Sequence, residues 1–87
     1  MQFNMTVKDI ENKIVESFPG STVEVRDLTG TEDHYQALVV SPAFEGKTMI
    51  QQHRMVKAIF DEKIQSGELH ALSLKTYSPQ EWLKHGR

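Results

Sequence analysis

The 87-residue chain contains no cysteine. That absence removes a disulfide framework, a thiolate nucleophile and every cysteine-based metal site, so only His, Asp and Glu could ligate a metal. Long apolar runs are missing too. The longest, Ala37-Leu38-Val39-Val40, is far short of the roughly 20 residues of a membrane helix, and Met1 to Asn12 has neither the basic start nor the apolar centre of a signal peptide. The expected location is the cytoplasm, with no membrane partner. With 5 Gly and 3 Pro, the composition is not that of a disordered or collagenous chain. An excess of positive charge is lacking as well. Ten Lys and Arg against 12 Asp and Glu give a net charge of -2 at pH 7, the wrong sign overall for a protein whose affinity comes from neutralising phosphates, although a local basic patch stays open.

What is present reads as one α+β domain spanning residues 1–87, large enough for a single core. Thr6-Val7-Lys8-Asp9 has the form of a capping box with Asp in place of Glu. Ile10, Ile14, Val15 and Phe18 follow at helical spacing until Pro19-Gly20, which predicts a first helix from about Val7 to Phe18. Thr22 to Asp27 alternates with period 2, and His34 to Val40 is a β-branched and aromatic run. With the turn-like Thr29 to Asp33 between them, the pair predicts an antiparallel hairpin. Pro42 and Gly46 break the strand pattern. Thr48 can then cap a second helix whose apolar positions are Met49, Val56, Ile59, Phe60 and Ile64, ending near Ser66-Gly67. Leu69 to Tyr77 again shows period 2 and predicts a third strand. Ser78-Pro79-Gln80-Glu81 is a helix start with Ser at the cap, Pro at the first helical position and Glu at the third. The order α-β-β-α-β-α predicts a mixed three-stranded sheet, its second and third strands joined through a helix and able to lie parallel, with helices on one face.

Four histidines are the residues with metal or proton-transfer chemistry at neutral pH. His53 falls on the apolar stripe of the second helix, where a partly buried structural role is favoured. His85 sits near a helix end, where a cation is mildly favourable. His70 opens the third strand, and His34 opens the second beside Glu32-Asp33. Either is readable as an edge residue or as a ligand. No pair has the i, i+4 spacing of a zinc protease helix. Gly46-Lys47-Thr48 matches only the last residues of a phosphate loop, and no nucleophile elbow or acid/base pair is recognisable. The chain is not expected to be an enzyme.

Asp33-His34-Tyr35, Val39-Val40-Ser41, Phe44-Glu45-Gly46, Gln52-His53-Arg54-Met55-Val56, His70-Ala71-Leu72 and Thr76-Tyr77-Ser78-Pro79-Gln80-Glu81-Trp82, in this order, resemble the BolA family. The resemblance covers about Val23 to Trp82. It implies a fold similar to a class II KH domain and a small adaptor, in iron-sulfur cluster trafficking or iron and redox regulation. The implied partner is a monothiol glutaredoxin of the CGFS type, and the implied cofactor is a 2Fe-2S cluster shared with it, with none bound by the isolated chain. The histidine of the family's His-Ala-Leu motif, a regular ligand, maps onto His70. The second family ligand comes from the loop between the first two strands. Here Leu28 to Asp33 holds neither His nor Cys, which leaves His34 as the nearby candidate, at a position that can equally be structural.

The KH-like fold, and the transcriptional role of some family members, imply a competing reading as a DNA-binding regulator. Lys47, Arg54 and Lys57 would carry it. Against it, the turn before the second helix lacks the Gly-x-x-Gly that lets a KH backbone approach phosphates.

Overall fold

A computed structural model describes residues 5–28, 30, 34–69 and 71–85. The elements run α1 (Val7–Ser17), β1 (Thr22–Asp27), β2 (His34–Val40), a 3-10 turn (Pro42–Phe44), α2 (Met49–Ala58), α3 (Asp61–Ser66), β3 (Ala71–Tyr77) and α4 (Pro79–His85). The order expected from the sequence is present, with its second helix in two pieces. The capping box at α1 forms as its residues predict: the Asp9 amide donates to Thr6 Oγ1 at 3.1 Å, and the Thr6 amide donates to Asp9 Oδ2 at 3.0 Å. Both satisfy amides that no helical turn can reach.

β2 is the central strand. It pairs antiparallel with β1, from Thr22 opposite Val40 to Asp27 opposite Tyr35, and parallel with β3, from His34 opposite Ala71 to Val40 opposite Tyr77. Period-2 alternation sends Tyr35, Ala37 and Val39 to one face, where Val23, Val25, Leu72 and Leu74 join them. Ile10 and Ile14 of α1, Val56 of α2, and Phe44, Phe60 and Leu69 close over this face with no exposure. α1 lies against β1 and α2 against β3. Tyr35 keeps its hydroxyl satisfied inside the core by donating to the Met5 carbonyl at 2.6 Å.

Three expectations differ from the structure. The single second helix breaks after Ala58. The amides of Ile59 and Phe60 bond three residues back, to Val56 O at 3.2 Å and Lys57 O at 3.0 Å, and four-residue spacing resumes with Ile64 to Phe60 O at 2.9 Å. This overwound turn swings Phe60 into the core and leaves Ile64 at the surface, a change of period that an apolar stripe cannot register. Gly67, at φ 86°, then ends α3 in the left-handed conformation.

Met49 and Val15, both assigned to apolar stripes, are 66% and 41% exposed. Met49 is the first residue of α2, and Val15 stands about 100° around α1 from the buried Ile14, so neither is in the row that meets the sheet. Finally, β3 begins at Ala71 rather than Leu69. The Leu69 amide is committed to Lys63 O at 3.0 Å and the Glu68 carbonyl to the Met5 amide at 3.0 Å, so these groups hold the N-terminal segment and α3 instead of a sheet ladder.

Candidate functional site

The parallel register sets His34 opposite Ala71, the residue that follows His70 in the chain. His70 itself, Glu32 and Asp33 lie outside the described residues. His34 is exposed, and its carbonyl accepts from the Leu28 amide at 2.8 Å, closing the last rung of the hairpin. His34 thus stands at the start of the central strand with its backbone paired on both sides. Among the described residues, no three His, Asp or Glu side chains come together as a metal site.

His53 is half-buried, as its place on the stripe predicts. It borders a small concavity with Met49, Leu74 and Thr76. His85 packs instead into an aromatic group at the end of α4, its ring centroid 4.7 Å from that of Tyr77 and 5.8 Å from that of Trp82. The cations of the nucleic-acid reading are all exposed. Arg54 and Lys57 share one side of α2 by their i, i+3 spacing, whereas Lys47 precedes its cap, Thr48.

A polar hub absent from the expectations ties this region together. Gln52 is 1% exposed, and its Nε2 donates to Lys47 O at 3.0 Å and to Glu81 Oε1 at 3.1 Å. The same carboxylate oxygen accepts from the Ser78 amide at 2.8 Å, while the Glu81 amide donates to Ser78 Oγ at 3.2 Å. The predicted cap of the last helix therefore forms, and it is bonded to α2 as well. The Ser78 amide first, and the Gln52 side chain second, hold the Glu81 carboxyl below its ordinary pKa, because both donate to its charged form. Gln52 Oε1 and Thr76 Oγ1 are buried without a hydrogen-bond partner among the described residues, beside a concavity of about 310 Å³ that Met49 also borders. The signal for Gln52 lay in its spacing: it stands four residues before the buried Val56, a core position filled by an amide.

Similarity to known proteins agrees with this architecture. The family model for BolA-like proteins matches residues 2–81. Human BolA-like protein 2 is 32% identical over 82 residues, covering 92% of this chain and 93% of that one. The structure of a BolA homologue from Coxiella burnetii has a TM-score of 0.76 at 36% identity, covering 91% of this chain and 97% of that one. The BolA domain of SufE1 from Arabidopsis thaliana has a TM-score of 0.76 at 28% identity, over 86% of this chain and 93% of that one. With a matching family model over most of its length and the same mixed α+β sheet, this chain belongs to the BolA-like protein family.

Proposed function

We propose that this protein is a non-enzymatic cytoplasmic adaptor that pairs with a monothiol CGFS glutaredoxin and co-ligates a 2Fe-2S cluster through histidine, in iron-sulfur cluster trafficking or iron and redox regulation. The observation that carries this reading is the register of His34 opposite Ala71. It pairs His34, at the start of β2, with Ala71, the residue that follows the motif histidine His70 in the chain. A 2Fe-2S cluster takes four ligand positions, and histidine in place of thiolate raises its potential. A chain with no cysteine, and no three-ligand group among its described residues, suits a half-site whose thiolates come from the partner. His70 is the ligand of first choice and His34 the candidate for the second. Occurrence of the same domain within SufE1 supports a module that works attached to, or docked on, another protein.

The test is reconstitution of iron and sulfide on a CGFS glutaredoxin with and without this protein, followed by visible circular dichroism and titration calorimetry. A saturable complex with an altered cluster spectrum is expected. An unchanged spectrum with no heat of binding, or a stable coloured cluster on the isolated chain, refutes the proposal.

A further inference from the structure

On the face of the sheet opposite the core, alternation assembles a second set of side chains. Glu24, Leu38 and Lys75 form one row across the three strands, and Arg26 stands opposite Gln36 in the next. α4 reaches over the end of this face and adds Trp82 and His85, which with Tyr77 make an aromatic wall: Tyr77 and Trp82 lie 5.2 Å apart by ring centroid, and Tyr77 Oη is 3.3 Å from His85 Nε2, within hydrogen-bonding distance. Together these groups enclose a concavity of about 220 Å³.

The charges here are uncommitted. The ion pairs among the described residues are Lys8 with Glu11 and Lys63 with Glu68, and they include none of Glu24, Arg26 and Lys75. Adjacent strands lie about 4.8 Å apart, so the Glu24 and Lys75 backbones stand about 10 Å from each other with Leu38 between them. Two cations, one carboxylate and an apolar floor beside stacked rings therefore face solvent.

We propose that this concavity is a binding site for a single nucleotide with an exocyclic amine on its base, cytidine monophosphate in its simplest form. The volume is below the roughly 300 Å³ at which drug-sized pockets begin, so it takes one base, with the sugar and phosphate left at the rim. The base lies over Leu38 against the Tyr77–Trp82–His85 wall, because every base has a π-face that an aromatic side chain can take. Its phosphate meets Arg26, whose fork matches phosphate oxygens, and Lys75, which acts as a point charge. Glu24 accepts from the exocyclic amine, as acidic side chains do from cytosine N4. This site is on the other side of the sheet from the face α2 covers, so it is independent of Lys47, Arg54 and Lys57. A free nucleotide and an unpaired nucleotide within a strand present the same chemistry.

Trp82 is the single tryptophan of the chain, so its fluorescence reports on this site. Titration with cytidine 5′-monophosphate and with a short deoxycytidine oligomer should quench it saturably. Comparable affinity for the two, per nucleotide, assigns the site to free nucleotides, and much tighter oligomer binding assigns it to single strands. Arg26→Gln and Lys75→Gln, both at exposed strand positions, should each weaken binding by roughly tenfold while far-ultraviolet circular dichroism stays unchanged. Lys47→Gln should leave binding as it was. Uridine 5′-monophosphate should bind more weakly than the cytidine nucleotide, and Glu24→Gln should erase that difference. The proposal is overturned by absence of saturable quenching with both probes, by equal binding of unphosphorylated cytidine, or by full binding in the Arg26→Gln, Lys75→Gln double variant.

Discussion

Gln52 Nε2 and Glu81 Oε1, 29 positions apart in the chain, are joined at 3.1 Å. The bond fastens the first turn of α2 to the first turn of α4, and so fixes how the C-terminal helix sits on the end of β3. It also gives an exposed carboxylate a structural duty, since the same oxygen caps the Ser78 amide.

The first prediction concerns acid. The Glu81 carboxyl is held below its ordinary pKa by the Ser78 amide and then by Gln52. A group with a lowered folded pKa stabilises the fold above its unfolded pKa of about 4.3, and that contribution disappears as pH falls through the lowered folded value. Urea midpoints measured from neutral pH downward should show this loss in the natural protein. They should lose part of that acid dependence in Gln52→Leu, which keeps the Ser78 bond, and more of it in Glu81→Gln. A Glu81→Gln profile that follows the natural one throughout counts against the assignment.

Tyr35→Phe tests the buried hydroxyl. Removing the donor leaves the Met5 carbonyl, in the core, without its 2.6 Å partner, at a cost of about 1–3 kcal/mol. For a domain of this size each kcal/mol lowers Tm by about 4–8 °C. A thermal melt unchanged from the natural protein would show that water replaces the hydroxyl without loss.

Phe60→Ala and Met49→Ser separate the two kinds of apolar residue on one stripe. Phe60 is fully buried at the break between α2 and α3, and Met49 is 66% exposed. The first should cost roughly 3–5 kcal/mol, a large part of the total stability of a small domain. The second should stay within about 0.5 kcal/mol. Equal losses in denaturant titrations would mean that the burial pattern described here is wrong.

The histidines are tested on the reconstituted heterodimer. His70→Ala should abolish the cluster spectrum that distinguishes the heterodimer from the glutaredoxin alone, with the secondary structure intact by far-ultraviolet circular dichroism. His34→Ala names the second ligand by loss of the same spectrum, and retention removes His34 from the ligand set, leaving it the backbone bond to Leu28 that any residue there can make. If neither variant alters the spectrum, the ligand assignment fails.

Much of this molecule was legible in one dimension. Local rules acting over three or four residues settled the caps at Thr6, Thr48 and Ser78, while period 2 settled Thr22–Asp27, and a β-branched and aromatic run His34–Val40, to the residue. These signals are local because a capping side chain bonds an amide within its own first turn, and because alternate residues of a strand must face opposite ways. The histidine motif was legible only through resemblance to the family, and the ligand role it implies is what the reconstitution experiment tests.

Tertiary structure alone decided the rest. That Phe60 faces the core and Ile64 the surface depended on an overwound turn that changes the helical period. That Gln52 is a hub depended on Glu81 arriving from a helix on the far side of β3. The meeting of Glu24, Arg26 and Lys75 with Trp82 and His85 depended on strand order and register, which set residues from β1, β3 and α4 side by side. Each of these is a contact between groups distant in sequence. Its free energy is gained only when the intervening chain has folded, so no local pattern of residues could have contained it.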